Sequence, residues 1–303
     1  MKSEYPPLSG IQGTIRVPEH RSAVVALIAG GIAIGASPIF VRLSEVGPIS
    51  TGFWRLALAL IPLFLWSLLR PAPDARRPLG LQDAFLLVVP GVALAIDLVA
   101  WHLSLHMTSV ANSTLLANLA PVFVTLIGFL LFRTVVTRIF LLGLGLAILG
   151  VVTLKGGPAA LADGHLAGDA VATLAAVFYA CYILAIGRLR SRFDTVRIMI
   201  WSTATAALAI LPFALYLEGS ILPMSLYGWA ILFGLAFISH AGGQVAITYA
   251  LAFLPAAFSS LTLLLQPVVA AFLAWLILSE AVGPLQALGG AIVLAGILVA
   301  RRG

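Results

Sequence analysis

Residues 111–122 read ANSTLLANLAPV and residues 257–268 read AFSSLTLLLQPV. Laid over one another at an offset of 146 residues, the separation of Pro121 from Pro267, they superpose Ala111 on Ala257, Ser113 on Ser259, Leu115 on Leu261, Leu119 on Leu265 and Val122 on Val268. The register runs on without a gap, pairing Leu130 with Leu276, Leu142 with Leu288, Gly143 with Gly289 and Gly150 with Gly296. Upstream, Arg42 meets Arg188, Val99–Ala100 meets Val245–Ala246 and Leu105 meets Leu251. Leu, Val and Ala coincidences are cheap in so apolar a chain. A proline held in register with two glycine pairs is not, so the chain is read as an internal duplication.

The medium in which the copies fold follows from composition. Of 303 residues, 61% are hydrophobic and 9% charged, with a mean hydropathy of +1.11. A soluble domain carries roughly 25% charged residues, so a cytosolic enzyme, a disordered chain and a nucleic-acid binder are excluded. At about 20 apolar residues per crossing, ten spans are predicted near residues 22–43, 49–69, 84–106, 110–132, 138–154, 169–187, 198–217, 226–249, 256–278 and 283–300. The charged tail 1–21 leads into a stretch too long for a signal-peptide core and reads as the run-up to a first membrane helix. The single cysteine, Cys181, excludes a disulfide framework and a cysteine metal cluster.

Basic residues set the direction. With the N-terminus in the cytoplasm, the cytoplasmic segments hold Lys2, Arg16, Arg21, Arg70, Arg76, Arg77, Arg133, Arg138, Arg188, Arg190, Arg192, Arg197, Arg301 and Arg302, and the exterior only Arg42 and Lys155. That asymmetry is the positive-inside pattern; it needs an even number of crossings and places both termini in the cytoplasm. The net charge of +6 thus reflects topology, not a polyanionic partner. Each copy holds five spans, an odd number, so the copies are upside down relative to one another. The predicted fold is an all-α integral membrane protein of ten transmembrane helices in two inverted five-helix repeats. The divisions are a tail 1–21, a first repeat 22–154, an exterior loop 155–168 and a second repeat 169–303. Inverted repeats are a device of secondary transporters; a larger but inert bundle is the bland alternative.

Prolines and glycines refine the picture. Pro38, Pro62, Pro90, Pro121, Pro212 and Pro267 fall within apolar spans, where each removes a helix hydrogen bond and favours a bend. Pro38, Pro121 and Pro267 are the predicted helix bends, the last two matched between repeats. Gly30, Gly31 and Gly35, with the pairs Gly143/Gly150 and Gly289/Gly296, are assigned to close helix packing.

Ionisable and polar groups at membrane depth are functional candidates by default. Asp97 lies near the centre of span three, with Trp101 one turn on and Ser104 extending that face. His240 and Gln244 form a polar stripe in span eight, and an Asp97–His240 pair would suit proton coupling, the plain alternative being a structural contact. His102 and His106 make a different i, i+4 pair. Asn118 and Gln266 stand near the matched prolines, with Thr114, Ser259, Ser260 and Thr262 on the same helices; they either bond across helices or line a wet chamber. Tyr179 and Tyr182 share a face in mid-span six, where a buried phenol wants a partner; a pocket wall and core packing both fit. Arg55 is read as snorkelling to the surface, Glu280 as a solvated end residue, and Trp54, Trp66, Trp201, Trp229 and Trp275 as interface anchors. No phosphate loop or HExxH zinc motif occurs, so no cofactor, metal or ATP drive is expected.

The runs Thr114-Leu-Leu-Ala-Asn-Leu-Ala-Pro121-Val-Phe and Thr262-Leu-Leu-Leu-Gln-Pro267-Val, each followed by spaced glycines, resemble the paired repeats of the drug/metabolite transporter superfamily, EamA-type exporters. The resemblance covers the chain after its tail. One departure is Thr134, which stands opposite Glu280 where the family often carries a glutamate after its fourth helix. The resemblance implies a ten-helix basket with a central cavity in a bacterial inner membrane, exporting amino acids or similar small metabolites. Within the family the chain is similar to the aromatic amino acid exporter type.

The predicted function is a secondary transporter of a small solute by alternating access, with membrane lipid as its surroundings. Its chamber is assigned to Asp97, Trp101, Asn118, Tyr179, Tyr182, His240, Gln244 and Gln266. An intramembrane lipid- or metabolite-modifying enzyme would need acid–base groups near one membrane face, for which the short loops leave little room. A passive channel is the third reading, which stereoselective counterflow would oppose.

Overall fold

The computed structural model describes residues 17–69, 80–108, 110–157, 165–279 and 282–302, and these residues are helical with short connections. In chain order the helices are α1 (Val17–Gly35), α2 (Ser37–Leu43), α3 (Pro48–Leu69), α4 (Leu81–Met107), α5 (Val110–Ala117), α6 (Ala120–Phe132), α7 (Arg138–Leu154), α8 (Leu166–Leu189) and α9 (Thr195–Leu217). They continue with α10 (Leu226–Gly234), a π-helical segment (Leu235–Gln244), α11 (Val245–Ala250), α12 (Ala256–Thr262), α13 (Leu265–Leu278) and α14 (Pro284–Ala300). Eight continuous or jointed helices are long and apolar enough to cross a bilayer, and α7 and α14 are two shorter apolar helices of 17 residues each. A helix of that length measures about 25 Å, just under a typical hydrocarbon core of about 30 Å. Glu280 lies outside the described residues.

The joints fall where proline forbids a continuous helix. Between α5 and α6 the chain turns at Asn118–Leu119, with Pro121 in the first turn of α6; between α12 and α13 it turns at Leu263–Leu264, with Pro267 in the first turn of α13. Pro38 likewise opens α2 after a break at Ala36. Each proline sits where a missing N–H costs least, so the predicted bends are formed as breaks rather than smooth kinks. The copies also end these spans alike. Arg133 after α6 (φ 54°) and Ser279 after α13 (φ 56°) are left-handed non-glycine residues, and they too are 146 residues apart.

Among the described residues, three buried apolar clusters hold the bundle, the smallest around Leu58, Ala59, Leu232 and Ala236. The largest draws on α1, α3, α4, α8, α9 and α11, through Leu27, Leu56, Leu87, Ile183, Ile210 and Ile247. The second joins Leu115 and Leu261, counterparts in the repeat, to Phe140, Ala147, Val151 and Val293. Outward faces carry Phe64, Leu65, Leu131, Leu142, Leu208 and Leu276 exposed, far more apolar surface than water tolerates and the natural dress of helices in lipid.

The glycine pairs make a seam between α7 and α14. A Cβ on Gly143 would meet the Ala300 backbone at 2.5 Å, one on Gly150 the Val293 nitrogen at 2.5 Å, one on Gly289 the Leu154 nitrogen at 2.2 Å and one on Gly296 the Ala147 nitrogen at 2.5 Å. The helices run antiparallel, and the contacts are reciprocal. Adding 146 to the first-copy member of one contact, and subtracting it from the other, turns Gly143–Ala300 into Gly289–Leu154 and Gly150–Val293 into Gly296–Ala147. That self-complementarity is the mark of a two-fold interface. Elsewhere Gly30 admits the Gly243 carbonyl (2.7 Å from a Cβ) and Gly35 the Val269 side chain (2.8 Å), whereas Gly31 is in ordinary contact.

At one end of the bundle two loops exchange carboxylates. Glu218, after α9, accepts the Ile49 and Ser50 backbone N–H groups at the start of α3, both at 2.8 Å. Glu45, before α3, accepts the Met224 and Ser225 N–H groups (3.0 and 3.1 Å) and the Ser225 hydroxyl at the start of α10. Gly47 and Gly228 leave the room, since a Cβ on either would strike the carboxylate beside it. Each acid satisfies orphan donors and sits at the positive end of a helix. Glu218→Ala should therefore lower stability by about 1–3 kcal/mol, read as an earlier thermal transition in detergent; an unchanged transition would deny the cap. The opposite end carries an Arg192–Asp83 ion pair (2.5 Å).

Glu45 adds a pH dependence. Above all the Ser225 hydroxyl, helped by the Ser225 and Met224 backbone N–H groups and opposed by desolvation, holds its carboxyl below the ordinary glutamate value. A depressed acid contributes stability above its unfolded pKa and loses it as the pH falls through the folded value. The melting difference between the parent and Glu45→Gln should thus be present at neutral pH and vanish in acid; a difference that persists unchanged in acid would contradict the cap.

Candidate mid-bundle site

The polar groups that the apolar helices carry inward converge on Arg55. Its guanidinium, on α3, is within electrostatic reach of Asp97 on α4, of Tyr179 and Tyr182 on α8, and of His102 and His240. Its Nε is enclosed and has no hydrogen-bond partner. Arg55 therefore corrects the snorkelling expectation: the side chain turns into the bundle, not along the helix to an end. Asp97 is half-buried, with Arg55 as its opposing charge, and among the described residues the two do not close into a direct ion pair.

α8 supplies the wall opposite. The Tyr179 and Tyr182 rings stack at 5.9 Å and 19°, as their spacing on one face predicts. Tyr182 is wholly buried, yet its hydroxyl has no hydrogen-bond partner; the Gln244 amide lies beside it. Tyr179 faces the amides of Gln266 and Gln244. Gln266, in the first turn of α13, has an enclosed Nε2 without a partner. Three buried polar atoms, from α3, α8 and α13, are thus unsatisfied: Arg55 and Tyr182 lie within electrostatic reach of Asp97, and Gln266 lies beside Tyr179. Such groups cost free energy unless water or a solute completes them.

The π-helical segment aims the second-copy groups. Its i→i+5 turns are uncommon and collect at functional sites. Ser239 ties it to α1 through the Ala33 carbonyl (2.8 Å), and His240 Nε2 meets the Thr203 hydroxyl on α9 at 2.9 Å. His240 is therefore engaged with Thr203, and the charged neighbour of Asp97 is Arg55; the expected Asp97–His240 pair is not the arrangement formed.

The remaining candidates divide. Trp101 is half-buried and its ring lies 4.9 Å from that of His102, while Ser104 bonds its own helix and Ser113. Asn118 donates to the Thr114 carbonyl at 2.7 Å, at the break before Pro121. Ser260 and Thr262 also bond back to their own helix. Trp54 joins Trp229 at the carboxylate-exchanging end, its indole N–H on the Ile221 carbonyl. Among the described residues no cluster of His, Cys, Asp and Glu could hold a metal. A separate cavity of about 240 Å³, lined by His20, Val136, Phe258 and Arg301 among others, lies toward the end of α14. Sequence reasoning missed Arg55 and Thr203. The signal for Arg55 was its depth, seven residues beyond Pro48 in an otherwise apolar helix; Thr203 had none.

The family model of the EamA-like transporter family matches residues 21–155 and again 166–302. The chain belongs to the EamA-like transporter family. It is similar to an "uncharacterized transporter" of Archaeoglobus fulgidus, 27% identical over 287 residues, spanning 93% of this chain and 97% of the relative. It is also similar to the pseudopaline exporter CntI of Pseudomonas aeruginosa, 28% identical over 250 residues, spanning 82% of this chain and 84% of that one. A protein crystal structure shares the fold at a TM-score of 0.77 and 20% identity, over 93% of this chain and 98% of its own. This EamA-family protein is a multi-pass membrane transporter of small solutes.

Proposed function

We propose that the chain crosses a bacterial inner membrane ten times, as two antiparallel five-helix copies with both termini in the cytoplasm, and exports amino acids, including aromatic ones, or related small metabolites by alternating access. The observation that carries this reading is the set of unsatisfied buried polar atoms, Arg55 Nε and Tyr182 Oη within electrostatic reach of Asp97 and Gln266 Nε2 beside Tyr179. They come from helices of both copies, where alternating exposure would present them to either side in turn. The reciprocal α7–α14 seam and the matched left-handed residues Arg133 and Ser279 support inversion of the copies. The similarity to a protein named an exporter supports the direction.

Counterflow of labelled amino acids into proteoliposomes, with and without a pH gradient, tests this reading. Saturable, stereoselective exchange of at least one amino acid is expected, and the gradient arm reads whether protons are coupled. Exchange of other metabolites alone would overturn the amino acid assignment; no exchange of any solute would overturn transport by alternating access.

A further inference from the structure

The geometry around Arg55 points to a more specific recognition rule, which rests on the transport reading above: we propose that Arg55 and Asp97 clamp the two ends of a zwitterion, the guanidinium taking a carboxylate and the Asp97 carboxylate an ammonium group.

A guanidinium presents a planar fork of donors matched to a carboxylate, and the Arg55 fork is turned into the bundle with its Nε unengaged. Asp97 is the one carboxylate among the groups that Arg55 feels there, the others being two tyrosines and two histidines. Helices that only needed mutual neutralisation would close the pair. Here it stays open, and within electrostatic reach of both charges is the unpartnered Tyr182 hydroxyl, on a side chain with no exposed surface, with Gln266 Nε2, also unpartnered, beside Tyr179.

Charge balance then selects the guest. Arg55 and Asp97 together sum to zero. A zwitterion adds no net charge and gives each buried ion an opposite partner. An anion alone would leave Asp97 uncompensated, and a cation alone would leave Arg55 so, at a depth where an unpaired charge is costly. The stacked Tyr179 and Tyr182 rings border the same space and offer an apolar flank to the body of the guest.

The test keeps the body of the solute constant and varies its charges. Wild-type proteoliposomes exchange labelled L-phenylalanine or L-leucine against unlabelled competitors: the same amino acid, its deaminated acid (3-phenylpropanoate, 4-methylpentanoate) or its decarboxylated amine (phenethylamine, isoamylamine). The zwitterion should compete at least about 10-fold better than either half-molecule, the scale of one charge-assisted hydrogen-bond set. Arg55→Gln should erase the advantage over the amine while keeping that over the acid, and Asp97→Asn should do the reverse. If Arg55→Gln does not insert, Arg55→Lys and the wild-type ladder still decide. Flux in which a half-molecule competes as well as the zwitterion, or a variant that keeps both preferences, overturns the clamp and leaves transport standing. No flux of these or of any other amino acid overturns the clamp together with the amino acid reading.

Discussion

Asp97→Asn should slow transport by at least about 10-fold and lower the melting temperature, whereas Arg55→Gln combined with Asp97→Asn should recover the melting temperature and not the transport. Removing one member of a buried charge pair strands the other, typically at about 3–5 kcal/mol, while removing both is often neutral. The Arg55–Asp97 pair is open and Asp97 half-buried, so about 2 kcal/mol is the reasonable scale here. The readouts are thermal unfolding in detergent and counterflow in proteoliposomes. Stability losses that simply add in the double variant would show that the two side chains do not act on each other. By the same reasoning His240→Gln should do less, because its ring is held by Thr203 and no charge is stranded by its loss.

The second large effect belongs to the seam. A methyl group at position 289 would fall 2.2 Å from the Leu154 nitrogen and 2.5 Å from its Cα, both backbone atoms. Neither can rotate away, so Gly289→Ala must push α7 and α14 apart along their length. Overpacking of this kind costs about 1–3 kcal/mol and sometimes more, and the Gly143→Ala/Gly289→Ala double variant should yield little folded protein. Gly145→Ala is the control, on the same α7 but with nothing within 4 Å of its added carbon; it should melt no lower than the parent. Equal losses at 145 and 289 would mean that general glycine chemistry, not close approach, explains the seam.

The features legible in the sequence were those written in periodicity and register. Apolar stretches marked the helices, the matched prolines marked the breaks at Asn118–Leu119 and Leu263–Leu264, and the glycine pairs marked a contact close enough to exclude a side chain. Within the site, Asp97, Tyr179, Tyr182, Gln244 and Gln266 were visible because polarity is expensive at that depth and therefore stands out. Direction was harder to read. Arg55 can turn either way along α3, and only the packing around it decides; the bond from Asn118 to the Thr114 carbonyl is likewise set by the break beside it. The π-helical segment left no trace in spacing, whereas the bonds that Ser239 and His240 make from it to Ala33 and Thr203 are visible only in three dimensions.

The self-complementary contact of α7 with α14 bears on how such a molecule can move. Points on a two-fold axis keep their partners when the two sides trade shapes, so a contact built around that axis serves as a pivot. Spin labels placed on the outer faces of these two helices should hold one distance through an entire turnover, while labels on α3 and α8, flanking Arg55 and the tyrosines, should report two.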